Sequence, residues 1–231
     1  MWPSTVESLT AYQEELAATV APPWAPPAGG MRTGGCWVCF PRDLAGPGDA
    51  GDPAWTAAVV MSGDEVLAES TVTGAAGAPY IPGLLALRIG SLLQQATRAV
   101  DSDPDAMFVD ATGRDHPRRA GLALHLGSEL AMPTVGVTHR PLLAEGDWPA
   151  DRRGASSPLR IGSEVVACWL RTQAGVRPLV VHPGWRVDLA TAIDLVLSVT
   201  SRSRTPGPLR HARRVAREAR AQTTRYEPGG A

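Results

Sequence analysis

The chain has 231 residues, 44% of them hydrophobic, and a net charge of −1. That size and apolar content suit a single domain over residues 1–231 with a full core, ending in a mobile tail past about Ala221. The balanced charge gives no global sign of a polyanion partner, and all 22 basic residues are Arg. No apolar run is long enough to span a bilayer, and the acidic, amphipathic N-terminus does not read as a signal peptide. A cytoplasmic, monomeric protein without a membrane partner is expected. Three cysteines make an odd number with no framework spacing, which fits a reduced compartment. Cys36-x-x-Cys39 lies inside a strand-like run that would turn the two thiols to opposite faces, so both read as core residues rather than a zinc or redox pair.

Taken in order, residues 4–20 read as a helix. Ser4 or Thr5 can cap it, and Leu9, Tyr12, Leu16 and Val20 share one face. Ala21–Gly30 is a stiff, proline-rich connector. Residues 35–40 read as the first core strand, and 41–52 as a loop rich in Gly, Pro and Asp. Residues 54–61 and 65–72 read as a hairpin turning at Ser62-Gly63-Asp64. After a flexible lead at 74–79, residues 84–100 form a strongly apolar helical pattern. Ala106-Met107-Phe108-Val109 reads as a buried parallel strand that delivers Asp110 at its carboxyl end, where sites form in open α/β sheets. A Gly-containing turn and Asp115-His116-Pro117-Arg118-Arg119 lead into a helix marked by Leu122, Leu126 and Leu130. Met132-Pro133 stops that helix, and 134–138 reads as the next strand.

Residues 139–162 read as an irregular surface excursion. Strands follow at 164–171 and 177–182, then a helix from Asp188 or Thr191 to Val199. In the tail, Arg210, Arg213, Arg214 and Arg217 fall at i, i+3, i+4 and i+7. They would form one basic helical stripe, either a phosphate contact or a solvated face. Three early strands followed by alternating helices and strands predict an α/β fold, with an antiparallel meander continued by parallel βα units in one mixed sheet flanked by helices.

The stretch from Val109 to Leu142, VDATGRDHPRRAGLALHLGSELAMPTVGVTHRPL, resembles the central motif of endonuclease V. Pro79-Tyr80-Ile81-Pro82-Gly83 resembles that family's wedge. The resemblance implies a ribonuclease H-like fold and Mg2+-dependent cleavage of nucleic acid near deoxyinosine or inosine. It also implies that the 79–83 segment pries bases apart. Two prolines stiffen such a loop, so Tyr80 and Ile81 can project with little ordering cost. The base pocket would lie between this loop and the central motif, with Gly83, Leu85 and Gly113 matching by position. Ala111 and Thr138 stand where the family has smaller residues. Arg118 and Arg210 are further candidates for contacting the nucleic acid.

The metal positions depart from the family pattern. The resemblance places Trp37 where a first-strand Asp is expected, Ile89 where a Glu is expected and Trp185 where a His is expected; His139 replaces a Lys. Asp110 and His116 remain as residual catalytic candidates, with Asp110 the lone metal-ligand candidate. One carboxylate holds Mg2+ poorly, because Mg2+ gives up water reluctantly. The three bulky replacements are expected to fill the former metal site beside Asp110. Asp43, Asp115, His182 and Asp188 would have to converge on Asp110 to rebuild it. These departures point to a catalytically degenerate endonuclease V-type protein, without a metal cofactor, that binds single-stranded or mismatched DNA or RNA. The alternatives are an active Mg2+-dependent endonuclease and a protein-interaction module with no nucleic-acid role.

Overall fold

The computed structural model describes residues 2–226. A first helix, Val6–Ala18 (α1), is capped by Thr5, whose hydroxyl accepts from the Ser8 amide. Three strands follow: Arg32–Cys39 (β1), Pro53–Ser62 (β2) and Glu65–Ala75 (β3). A π-helical turn, Ala86–Gly90, runs directly into Ser91–Ala99 (α2). Then come Ala106–Val109 (β4), Leu122–Leu130 (α3), Thr134–Thr138 (β5), Ser156–Ile161 (β6), Glu164–Leu170 (β7), Leu179–Pro183 (β8), Leu189–Ser198 (α4) and Gly207–Tyr226 (α5).

The strands form one eight-stranded sheet in the order β3-β2-β1-β4-β5-β8-β7-β6. β1, β4 and β5 run parallel, and the remaining pairs are antiparallel. The expected mixed sheet, an antiparallel meander continued by parallel βα units and flanked by helices, is present. Asp110 follows the central strand β4. Alternation along β1 and β4 divides the core into two layers. Cys36, Met107 and Val109 pack with Leu93, Leu122 and Leu126 on one face. Phe108 packs with Val135, Val181, Val196 and Leu209 on the other. Cys39 lies in a third cluster under α5, so the two thiols of the Cys-x-x-Cys run face apart and both are buried and free.

The glycines of β1 have a steric reason. A Cβ on Gly35 would lie 2.4 Å from the carbonyl carbon of Pro208. Only a bare backbone lets α5 settle this closely across β1, which carries its Arg residues over the carboxyl end of the sheet.

Two elements differ from the sequence reading. Within the 139–162 excursion, residues 156–161 form β6, hairpinned to β7 through Gly162, whose φ of +61° suits a two-residue turn. Pro158 is tolerated because β6 is the edge strand. At the other end, α5 continues beyond Ala221 to Tyr226; the rest of the expected mobile tail, 227–231, lies outside the described residues. Among the described residues no helix is long and apolar enough to cross a membrane.

Candidate nucleic-acid site

The 79–83 loop is held at both ends. The Tyr80 amide donates to the Gly48 carbonyl at 3.0 Å. Behind Gly48, the buried Arg88 donates to the carbonyls of Asp49 and Ala78 and to the Asp52 carboxylate, each at 2.7 Å, with Phe40 4.4 Å beneath its guanidinium. At the far end the Gly83 carbonyl accepts from Arg118 at 2.9 Å and lies 3.1 Å from His116 Nε2. Arg118 also donates to the Gln13 side chain at 2.6 Å. Between these anchors Pro79, Tyr80, Ile81 and Pro82 are exposed, with Tyr80 at 45% and Ile81 at 46%. Two apolar side chains therefore stand in solvent on a braced loop.

A cavity of about 150 Å³ opens beside them. Its walls include Tyr80, Ile81, Pro82, Gly83 and Leu85 from the loop side, and Asp110, Ala111, His116, Thr138 and Leu142 opposite. Gly113 does not line it. Gly113 is buried against β8, where a Cβ would lie 2.2 Å from the Pro183 carbonyl oxygen, so its smallness serves packing. Arg118, a candidate contact with nucleic acid, gives its Nε to Gln13 and one Nη to Gly83, which makes it a brace for the loop.

Asp115 and His116 of the central motif are committed to backbone groups. Asp115 is fully buried and accepts from the amides of Leu142, Leu143 and Ala144 at 2.6–2.8 Å, which pins the wall that carries Leu142. His116 Nδ1 accepts from the Arg118 amide at 3.2 Å, so Nε2 carries the proton toward Gly83. Burial holds this imidazole neutral, with a pKa lowered to about 4 despite the Gly83 hydrogen bond. Neither His116 nor Arg118 bonds to Asp110; both turn to the Gly83 carbonyl.

Asp110 stands at the junction of three depressions. Asp110 is exposed to solvent through the cleft, with protein packed densely around it. Desolvation pushes its pKa up to about 6, and the positive charge of Arg213 opposes the shift. The second depression, about 250 Å³, is lined by Cys36, Trp37, Val38, Phe40, Leu85, Ile89 and Leu93 among others. The third, about 140 Å³, brings Trp37 and Asp110 together with His139, Arg210 and Arg213. The Arg213 guanidinium lies 5.3 Å from the Trp37 ring centroid.

This corrects the expectation that Trp37, Ile89 and Trp185 fill the space beside Asp110. Trp37 and Ile89 do wall the cleft, but an open apolar depression remains. Trp185 is elsewhere: β8 runs antiparallel to β5, so Pro183-Gly184-Trp185 emerges at the start of β5, at the opposite end of the sheet from Asp110. There its amide donates to the Thr134 hydroxyl, and its ring packs on Leu16, Ala120 and Leu124. The group that reaches Asp110 from the C-terminal helix is Arg213. Arg210 joins it at the rim, whereas Arg214 pairs with Glu218 and Glu69. The stripe is thus split between the cleft and a solvated ion-pair face.

The donor set does not fit a pair of Mg2+ ions. Among the described residues no three His, Cys, Asp or Glu side chains gather where a metal could sit. Asp115 is committed to three amides, Asp188 caps α4 by accepting from Thr191, Asp43 is on the 41–52 loop, and His182 is buried with Nε2 2.9 Å from the Thr138 hydroxyl. Octahedral Mg2+ needs several hard oxygens that this cleft does not present.

The model of the endonuclease V family matches residues 41–214. The chain belongs to that family. Endonuclease V from Streptomyces avermitilis is 38% identical over 227 residues, covering 96% of each chain. Its crystal structure superposes with a TM-score of 0.86 at 36% identity, again over 96% of each chain. Endonuclease V from Streptomyces coelicolor is 39% identical over 222 residues, 94% of this chain and 92% of the other. A crystal structure of Ciona intestinalis endonuclease V, in complex with a 24mer DNA containing an inosine followed by a ribo-adenosine, shares the fold at a TM-score of 0.77 and 21% identity, covering 94% of this chain and 98% of that one. The ribonuclease H-like fold expected from the central motif is the fold of these structures.

Sequence reasoning singled out the 79–83 loop, Asp110 and His116, which the structure brings to one cavity. It missed Gln13 and Arg88, and it placed Arg213 only in a basic stripe; their roles arise from contacts across 105, 36 and 176 positions of chain respectively, the last to Trp37.

Proposed function

We propose that this endonuclease V-family protein binds inosine-bearing DNA or RNA through the 79–83 loop and the adjoining cavity, and that it does not cut the strand by two-metal chemistry. The observation that carries the binding reading is the exposure of Tyr80 and Ile81 on a loop fixed at Gly48 and Gly83, at the mouth of a cavity large enough for a purine. An apolar wedge unstacks bases at a cost of a few kcal/mol per step, offset by stacking and pocket contacts. The inosine-containing DNA bound to the Ciona intestinalis relative supports the choice of ligand.

The chemistry of the cleft supports the second half of the reading. Asp110 has Trp37 and Ile89 for neighbours where the resemblance expects carboxylates. Burial holds His116 neutral and Gly83 occupies its Nε2, so it is a loop-positioning group here and not a free acid. Arg210 and Arg213 supply positive charge at the rim, where a phosphate can be held without a metal.

The test is a paired assay on inosine-containing DNA and RNA strands, with Mg2+ or Mn2+ and an Asp110→Ala control. Binding without cleavage is expected. Cleavage abolished by Asp110→Ala would overturn the non-cutting reading, and absence of both binding and cleavage would overturn the nucleic-acid reading.

A further inference from the structure

The depression that holds Arg210, Arg213 and His139 is lined at its edge by Thr205. Arg204 lies next in line: its guanidinium donates to the Arg177 carbonyl at 2.6 Å and to the Pro178 carbonyl at 3.0 Å. The cations are close enough to act on one another. After partial burial, the charges of Arg204, Arg213 and Arg177 all lower the pKa of His139, and Arg177 also lowers that of Arg204. Such mutual repulsion is tolerated where an anion relieves it. Arg177 is exposed, and among the described residues its guanidinium makes no hydrogen bond or ion pair; it lies 5.5 Å from the ring centroid of Trp148.

Trp148 is 53% exposed, the most exposed aromatic side chain among the described residues. It is not loosely hung. Its ring meets Trp169 edge-on at 6.2 Å, and the Trp169 indole donates to the Gly146 carbonyl at 3.0 Å, fixing the loop that carries Trp148. Arg171 stands 5.8 Å from the ring on another side and is itself paired with Asp151 at 3.4 Å. A rigid aromatic flanked by an unpaired cation and joined to a basic rim is the arrangement that holds single strands: cations follow the phosphates and the ring stacks a base.

We infer that the face from Arg213 through His139, Arg204 and Arg177 to Trp148 is a track for one nucleic-acid strand leaving the Asp110 cleft, with Trp148 as its stacking platform. This rests on the nucleic-acid reading above and adds to it a site that neither the wedge nor the cavity requires. Residues 139–155 are then a strand-guiding element.

The experiment measures binding of inosine-containing single strands of about 6 and about 16 nucleotides by fluorescence anisotropy over a salt series. The shorter strand occupies the cleft alone; the longer one reaches Trp148. Trp148→Ala is expected to weaken the longer strand about tenfold and leave the shorter unchanged, while Trp148→Phe keeps most of the affinity. Arg177→Ala is expected to lower the salt slope for the longer strand by about 0.7. Because Trp148 is half in solvent, circular dichroism of the variants should match the wild type. Unchanged binding of the longer strand by Trp148→Ala, with the wild type binding both strands, would overturn the track and leave the cleft reading intact. A wild type that binds neither strand would overturn both. Equal loss on a polyglutamate peptide would make the partner an acidic peptide and overturn the track as stated.

Discussion

If Trp37 and Ile89 stand in place of metal-binding carboxylates, restoring them should create a metal site. The double substitution Trp37→Asp with Ile89→Glu brings two further carboxylates to the cleft that Asp110 already occupies. Ile89 is 6% exposed, so exchanging it for Glu forfeits about 2–3 kcal/mol of apolar burial. The new charges also face a carboxyl whose pKa is already raised to about 6, so in metal-free buffer the variant should be less stable than the wild type and lose further stability as pH rises through 6. A metal that binds only the folded state returns RT ln(1 + [L]/Kd), about 2.7 kcal/mol at a hundredfold excess over Kd. For a chain of this length that is a rise of roughly 5–10 °C in melting temperature. The assay is thermal melting with EDTA, Mg2+ or Mn2+, followed by cleavage of an inosine-containing strand. The wild type should show no metal-dependent shift. An equal shift in the wild type would mean that it holds metal through other groups, and no shift in the variant would mean that Trp37 and Ile89 do not mark the ligand positions.

Tyr80→Ala should weaken binding of inosine-containing strands about tenfold with less than about 0.5 kcal/mol of lost stability, as expected for an exposed stacking group; a large loss of stability in urea melts would make Tyr80 a packing residue instead. Asp115→Asn replaces one acceptor oxygen with an amide that faces N–H donors, so denaturant melts should show a loss of about 2–3 kcal/mol, with weaker strand binding as the Leu142 wall loosens. His125 is fully buried between Trp2 and Tyr12 with neither ring nitrogen hydrogen-bonded, and burial lowers its pKa from 6.5 to about 3. The unfolded chain therefore binds a proton that the folded chain refuses; the stability is fully present above pH 6.5 and about 2 kcal/mol of it is gone at pH 5. His125→Phe should remove that share of the acid sensitivity, and an unchanged difference between melts at pH 8 and pH 5 would show that His125 is not held neutral.

Most of the fold was legible because its strands are apolar runs bounded by turn residues, and its helices carry the 3.6-residue period. β6 was not legible: Ser156-Ser157-Pro158-Leu159-Arg160-Ile161 has one buried side chain, Leu159, and a proline that only an edge strand accepts. The loop at 79–83 could be read from its prolines and flanks. Its anchoring could not, since Gln13 and Arg118 meet it only after the N-terminal helix docks. Trp185 shows the limit of matching a short segment by resemblance. Val181-His182-Pro183-Gly184-Trp185-Arg186 has an antiparallel partner in β5, and strand direction alone sends its end to the far rim. Arg213 was read as part of a stripe. Its place above Trp37 depends on Gly35, whose missing Cβ lets α5 approach.

On the proposed reading, recognition and cleavage draw on separate sets of contacts, and that separation explains how one could persist without the other. The cavity wall at Leu142 hangs on Asp115, the loop end at Gly83 on His116 and Arg118, and the loop base at Gly48 on Tyr80 with Arg88 behind it. None of these bonds passes through Asp110, and none needs a metal ion. A site whose walls were themselves metal ligands would collapse by mutual repulsion once the metal was lost. On that reading Trp37 and Ile89, standing for carboxylates, keep charge out of the cleft, which leaves Asp110 as an isolated carboxyl opposed by Arg213 and leaves the frame around the cavity untouched. On the proposed reading, binding survives because its hydrogen-bond supports were never shared with the catalytic centre.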